Sequence, residues 1–233
     1  MDGMWSFRIT LLSVVFIVTV VSIMLVPITA VMYGYDTLSF VEAGAGFTVL
    51  LAIVGFLWHF RKRSISLGNS VTINKMTFVG LVLGLLWTVE IGINNFIAPP
   101  LPARDIIDNA FWAAIALSIF IQAVLVAYQT GSMLDGVKVG TWSGFISGLV
   151  ACWASLTLIV FGMHFITHDP LNVAEWTLHR TNSNAPTMAA YFAFETLAGA
   201  FLHLLVLGLA MGALLGVIGG LIGKIARKAG SAS

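Results

Sequence analysis

The chain has 233 residues, of which 59% are hydrophobic and 9% are charged, and its formal net charge at neutral pH is +1. Soluble domains typically carry about 25% charged residues, so this composition excludes an ordinary soluble protein. It also excludes a nucleic-acid-binding protein, which needs a basic stripe or patch. We therefore predict an integral membrane protein whose main partner is the lipid bilayer.

Six apolar runs predict six transmembrane helices, because each approaches the ~20 residues that a helix needs to cross ~30 Å of hydrocarbon. They cover residues 8–30, 43–60, 76–97, 109–130, 140–166 and 188–213. We interpret the chain as an all-α, polytopic helical bundle that forms a single transmembrane domain over residues 1–233. The first run is too long for a signal peptide and lacks a small-residue cleavage site, so we interpret it as a retained span.

Basic residues are distributed unequally between the two sides of these spans. Nine of the 11 Lys and Arg residues lie on one predicted side, and Arg104 and Arg180 lie on the other. The nine are Arg8, Arg61, Lys62, Arg63, Lys75, Lys138, Lys224, Arg227 and Lys228. Because cytoplasmic loops carry an excess of Lys and Arg, both termini are predicted to be cytoplasmic. The sequence contains no Asn-x-Ser/Thr glycosylation motif, which fits a bacterial plasma membrane.

Glycines recur every fourth residue in the third, fifth and sixth spans and in the stretch that follows the sixth. They form three glycine-zipper patterns, which are Gly80 with Gly84, Gly144 with Gly148, and the series Gly208, Gly212, Gly216 and Gly220. Such patterns let helix backbones approach closely, either within one subunit or between copies in a homo-oligomer or with other membrane subunits. The segment that begins at Thr77 also resembles the one that begins at Thr141, 64 residues later. Tandem two-helix hairpin repeats are therefore a further hypothesis.

Glu90 and Glu195 are the carboxylates placed deep in predicted spans, each about seven residues below the outer end of its helix. An ionisable group at this depth is costly and faces the bundle interior. We expect these two to face each other, with at least one protonated near neutral pH. Asn94, one turn above Glu90, and the mid-membrane residues Gln122 and His203 complete a predicted polar intramembrane site. The alternative is that a protonated glutamic acid only locks two helices together.

The predicted outer loop, residues 167–187, begins between two histidines, His164 and His168, that lie one helical turn apart. His164, His168 and His179 offer imidazole ligands that suit a divalent metal such as Zn or Cu. In the alternative interpretation, Asp169 caps a short interfacial helix that begins at the following proline. The histidines would then lie among lipid headgroups.

His203 offers a second ligand chemistry, since a buried imidazole can hold haem iron or chlorophyll magnesium. The single cysteine, Cys152, is predicted to pack as a small apolar residue. No nucleotide-binding loop, nucleophile elbow, zinc-protease helix or paired-cysteine motif occurs. Their absence argues against an ATP-driven pump or a serine hydrolase more than against enzymes in general, so the enzyme question stays open, with a protein that is not an enzyme favoured.

Three functions remain open at this point. The first is a small transporter or an ion or proton permeation component that uses the polar intramembrane site. The second is a non-catalytic scaffold of a larger membrane complex, or a subunit of it that holds haem or chlorophyll. The third is a membrane metalloenzyme that uses the outer histidines.

The predicted topology can be tested by labelling single cysteines in a Cys152→Ala background. A Ser66→Cys variant should react with a membrane-impermeant thiol reagent only after the cells are opened, because three basic residues precede it in the connection between the second and third spans. Labelling of this cysteine in intact cells would contradict the topology.

Overall fold

The computed structural model describes residues 2–66 and 70–230, and the side chains of residues 11–59 and 74–230. Within these residues all regular secondary structure is helical, and six stretches of helix are long and apolar enough to cross a membrane. The predicted all-α membrane bundle is confirmed. The side chains of Arg8, Arg61, Lys62 and Arg63, on which part of the topology prediction depends, lie outside the described residues.

Eight α-helices and two π-helical segments follow one another along the described chain. They are α1 (Asp2–Tyr33), α2 (Thr37–Ser66), α3 (Ser70–Gly92), a π-helical segment (Ile93–Ile97), α4 (Ala103–Thr130), α5 (Met133–His168), α6 (Pro170–His179), α7 (Met188–Leu202), a second π-helical segment (His203–Ala210) and α8 (Met211–Gly230). Several helices extend beyond the predicted apolar runs, because the connections between them are short and the capping residues lie outside those runs.

Helix ends coincide with capping residues. The Ser132 hydroxyl accepts the N–H of Asp135 at the start of α5, at 3.3 Å, and the Thr187 hydroxyl accepts that of Ala190 at the start of α7, at 3.1 Å. Helix α4 ends at Gly131, whose φ of 73° is a left-handed conformation that glycine adopts without steric cost. Two residues are therefore enough to connect α4 to α5.

Helix α5 is the centre of the bundle. In the most apolar stretch of α5, 78% of the residues are buried within the protein, whereas in each of the other five spans the buried share is 39% or less. It contacts α1, α3, α4, α6, α7 and α8, together with both π-helical segments. The other spans surround α5 and expose large apolar side chains, as expected for surfaces that face lipid.

Glycines allow α5 to approach α8 and the π-helical segment before it, backbone to backbone and in antiparallel orientation. A Cβ atom added at Gly140 would lie 2.6 Å from the carbonyl oxygen of Gly212, and one added at Gly148 would lie 2.6 Å from that of His203. Gly144, between them, faces the backbone of Gly208 and Gly212. These contacts lie within one subunit. Close backbone contact of this kind drives helix association in lipid, where hydrophobicity contributes little.

Gly216 and Gly220 continue this contact beyond the predicted sixth span. That span was predicted to end at residue 213, whereas helix α8 continues to Gly230 because its glycines keep packing on α5. A Cβ added at Gly216 would lie 3.0 Å from the Cα of Val137, and one added at Gly220 would lie 2.6 Å from the carbonyl oxygen of Met133. Both glycines are buried within the subunit, so they offer no free surface to a second copy. A homo-oligomer stays a prediction, and these two glycines do not support it.

Two parallel helix contacts extend the same packing. On α3, Gly80 and Gly84 face side chains of α5, and a Cβ at Gly80 would lie 2.6 Å from the Cβ of Ile146. On α8, a Cβ at Gly219 would lie 2.8 Å from the carbonyl oxygen of Phe120 in α4. The corresponding helices of the two predicted hairpins therefore lie side by side, α3 with α5 and α4 with α8.

We predict that Gly144→Ala lowers the free energy of unfolding, although alanine normally favours a helix over glycine by about 1 kcal/mol. The added methyl group would collide with the backbone of the partner segment, and overpacking of this kind costs about 1–3 kcal/mol. Gly55→Ala is the matched control, because its Cβ would meet nothing within 4 Å. Reversible unfolding in detergent micelles measures both variants, and equal effects would contradict the packing argument.

Candidate functional site

A polar cluster lies at the end of the bundle opposite the chain termini, which we call the distal end. Here α3 continues into the π-helical segment Ile93–Ile97, in which the N–H of Ala98 donates to the carbonyl of Ile93 at 3.1 Å. Ala98 has a left-handed φ of 49°, and the short proline-rich stretch that follows leads directly into α4. The end of α3 and the first turns of α4 are thereby held together.

Asn94 bridges two carboxyl groups within this cluster. Its amide nitrogen donates to Glu90 Oε1 at 2.8 Å and to Asp108 Oδ1 at 2.7 Å. The Glu90 and Asp108 carboxyl groups, which we call the carboxyl pair, lie close together because both accept from this one nitrogen. Glu90 is only 6% exposed, and Asp108 is half-buried. Two negative charges this close repel each other strongly in a low-dielectric environment unless a proton or a cation lies between them.

Arg104 does not neutralise the carboxyl pair. Its guanidinium binds Asp169 Oδ2 at 2.6 Å and donates to the backbone carbonyl of Asn94 at 2.7 Å. The Asp169 side chain is 3% exposed, so this ion pair is largely buried. Among the described residues no ion pair reaches the carboxyl pair. One guanidinium thus serves a cluster that contains three carboxyl groups.

Two further features mark this cluster as unusual. The Asn94 amide oxygen and the Arg104 Nε are buried and have no hydrogen-bond partner among the described residues, whereas most buried polar atoms in proteins are paired. In addition, Asn94 lies inside a π-helical segment, a distortion that is frequent at functional sites. The cluster therefore contains more polar groups than its own contacts satisfy.

His203 and Gln122 lie deeper and do not join the carboxyl pair. The Nδ1 of His203 hydrogen-bonds to the carbonyl of Gly199 at 2.8 Å, and its ring packs edge-to-face on Trp87 with ring centroids 4.9 Å apart. Because a carbonyl only accepts, this bond places a proton on Nδ1 and, in the neutral ring, leaves the lone pair on Nε2. Gln122 accepts a hydrogen bond from Ser143 at 2.8 Å.

Glu195 is not part of this site, and the prediction that it faces Glu90 inside the bundle is wrong. Its side chain is exposed, and it interacts electrostatically with Glu42 and Tyr35 near the connection between α1 and α2. Burial, followed by the charge of Asp36, raises the pKa of the Tyr35 hydroxyl. Equal depth did not bring the two glutamates together, because α3 and α7 each pack on α5 without extensive contact with each other.

The outer histidines do not converge on a metal ion. The His164 and His168 rings lie with centroids 4.0 Å apart and are tilted by 42°, but His179 lies at the other end of α6. Within the described residues no group of three or more His, Cys, Asp or Glu side chains could hold a metal ion. The predicted three-histidine site is therefore wrong. Helix α6 itself begins at Asp169, whose carboxylate accepts the N–H of Leu171 at 3.0 Å as an N-cap.

Asp108 and Arg104 were not predicted from the sequence. They lie four residues apart in the first turns of α4 and hence on the same face of the helix. Glu90 and Asn94 have the same spacing at the end of α3. These two pairs, on either side of a short proline-rich connection, are the sequence signal from which the complete cluster could have been found.

Comparison of the chain with protein-family models, with curated proteins and with solved structures gives no match. A function must therefore be argued from the chemistry of the site. That chemistry consists of two adjacent carboxyl groups, one bridging amide and a guanidinium that is bound elsewhere, all near one end of a membrane-spanning bundle.

Arg104→Met should lower the free energy of unfolding by about 3 kcal/mol, because it leaves the buried Asp169 carboxylate without its charge partner. The double variant Arg104→Met/Asp169→Asn should regain part of this loss, since asparagine keeps the N-cap without a charge. Lys138→Met is the matched control, because the Lys138–Asp135 pair is exposed and should contribute less than about 0.5 kcal/mol. Chemical unfolding in micelles measures all three, and an Arg104→Met effect no larger than the control would count against the buried ion pair.

Proposed function

We propose that the protein is a small transporter or proton permeation component, in which the carboxyl pair of Glu90 and Asp108 shares and exchanges one proton. The observation that supports this is that Asn94 holds both carboxyl groups in place while Arg104 is bound to Asp169. One proton shared by the pair removes the repulsion between two adjacent charges. Carboxyl groups within membrane spans commonly belong to proton and ion pathways.

A purely structural role for the carboxyl pair accounts for less of what is observed. A single hydrogen bond from Asn94 to one carboxyl group would be enough to join α3 to α4, and the second carboxyl group adds electrostatic repulsion. The unpaired polar atoms of Asn94 and Arg104 also contribute nothing to such a lock. A site that binds and releases a proton gives the second carboxyl group a role.

In this conformation the carboxyl pair is expected to exchange its proton with the distal side. Asp108 is half-buried near the distal end, so it can reach the aqueous boundary. On the other side of the pair lies an apolar layer, formed by Leu83, Trp87, Ile115, Ile119 and Ala151. This layer closes the bundle between the carboxyl pair and the end that holds the chain termini.

Polar side chains beyond the apolar layer support a pathway toward the termini. His203 lies next to Trp87, and Gln122 accepts from Ser143 farther along α4. Near the start of α3, the Trp142 indole donates to the Thr77 hydroxyl at 2.9 Å. On this proposal a conformational change connects the carboxyl pair with these groups instead of with the distal side.

We further propose that the distal end faces outward and the chain termini face the cytoplasm. Lys75, Lys138 and Lys224 lie near the helix ends at the terminal side, whereas Arg104 and Arg180 lie at the distal end. An excess of cations on one side is typical of the cytoplasmic face. The carboxyl pair would then take its proton from outside the cell.

Proton flux into proteoliposomes, driven by an imposed electrical potential, tests the proposed function. Glu90→Gln and Asp108→Asn should each abolish the flux, because an amide keeps the shape of the side chain but cannot carry the exchanged proton. Asp105→Asn is the matched control, since Asp105 is an exposed carboxylate one turn earlier on α4. Wild-type flux that persists in both pair variants, or that is lost equally in Asp105→Asn, would contradict the proposal.

A further inference from the structure

One buried aromatic side chain lies a helical turn from Glu90 and contacts His203. Trp87 lies three residues before Glu90 on the same face of α3, about 4.5 Å along the helix axis, and it is 4% exposed. Its indole packs edge-to-face on the imidazole of His203, with centroids 4.9 Å apart, and on the indole of Trp112, with centroids 5.5 Å apart. Trp87 is thus in direct contact with the imidazole of His203.

The layer around Trp87 gives a proton no chain of hydrogen-bonding groups to follow. Its other described members, Leu83, Ile115, Ile119 and Ala151, are apolar and buried. A charge that crosses this layer must give up its hydrogen-bonding partners and enter a hydrocarbon environment, which is strongly unfavourable. Movement of a side chain in the layer is therefore needed before the two polar regions can exchange a proton.

His203 has the chemistry to receive a proton from the other side of this layer. Its Nδ1 proton is held by the Gly199 carbonyl, so Nε2 is the atom that takes up a proton. An imidazolium beside an indole also gains cation–π attraction. Trp87 would therefore both exclude water from the apolar layer and favour the proton once it has arrived at His203.

We propose that Trp87 is the gate of the proton pathway, and that a proton passes from the carboxyl pair to His203 only when its indole moves. This inference rests on the proposed function. In the step, an O–H bond of the carboxyl pair breaks and an N–H bond forms at His203 Nε2. The pair is left with two negative charges until a proton from the distal side restores the O–H bond.

The titratable groups near His203 come from the elements packed around it. Helix α3 contributes Glu90 of the carboxyl pair, which follows Trp87 by one turn. Helix α5 presents Gly148 to the backbone of His203 and, one turn farther along, the buried thiol of Cys152. The charged groups of α4 near this pathway, Arg104 and Asp108, are those of the distal cluster.

The gate is tested by passive proton flux in proteoliposomes made with the full chain. Trp87→Ala should raise the flux about tenfold. This is the change expected when the barrier to proton passage loses the free energy of one buried aromatic contact. Trp87→Phe keeps a ring in the layer and should remain close to wild type. Trp112→Ala is the matched control, because Trp112 packs on Trp87 but is 43% exposed, so its removal should leave the layer closed.

A second comparison asks whether the extra flux uses His203. Adding His203→Gln to Trp87→Ala should lower the flux below the wild-type rate, because every proton on the proposed pathway passes through His203 and the glutamine cannot take it up. Trp87→Leu fills part of the indole volume, so it should give a smaller rise in flux than Trp87→Ala. It is the variant to measure if Trp87→Ala does not fold.

The possible results separate the gate from the proposed function. A Trp87→Ala or Trp87→Leu variant that folds but conducts no faster than wild type overturns the gate, and so does extra flux that persists without the His203 imidazole. A third result is also possible: the extra flux requires His203, but the wild-type flux is independent of Glu90 and Asp108. This result supports the gate and overturns the proposed role of the carboxyl pair.

Discussion

The close approach of α5 and α8 is the constraint on which the rest of the bundle depends. Apolar side chains gain little from contact with another helix when lipid is the alternative, so backbone contact must hold the helices together. Glycines on both helices permit this contact at positions where one added methyl group would collide with a carbonyl oxygen across the interface. With α5 held at the centre, α3 and α4 have defined surfaces on which to pack.

The central position of α5 also explains how residues far apart in the sequence meet at the distal end. Asp169 follows the last turn of α5, and its ion pair with Arg104 ties that turn to the start of α4. Arg104 in turn bonds to the backbone of Asn94. This ion pair fixes the geometry of the cluster without neutralising the carboxyl pair. The charge of the pair can therefore be balanced by an exchangeable proton while the scaffold keeps its own counter-ion.

The membrane spans and part of the candidate site could be predicted from the sequence, for different physical reasons. Run length identifies the spans, because the thickness of the bilayer sets a minimum for each helix. Glu90 and Asn94 were identified by depth and by their spacing on one helix face. Asp108 was missed because it lies in the first turns of a span, where an acidic residue ordinarily meets water or headgroups. Other features depend on the tertiary arrangement. The position of Glu195 along its helix indicates its height in the membrane but not where α7 packs in the bundle. The spacing of the outer histidines does not reveal that α6 separates His179 from His164 and His168.

The most direct test of the shared proton is infrared spectroscopy of the protein at neutral pH, since a protonated carboxyl group and a carboxylate absorb at different frequencies. A shared proton predicts a protonated-carboxyl band in the wild-type protein that is lost in Glu90→Gln and shifted in Asp108→Asn, where its hydrogen-bond partner changes. The band should be unchanged in Glu195→Gln, because Glu195 is exposed and outside the cluster. A wild-type spectrum without this band, or a band unaffected by both pair variants, would contradict the shared proton.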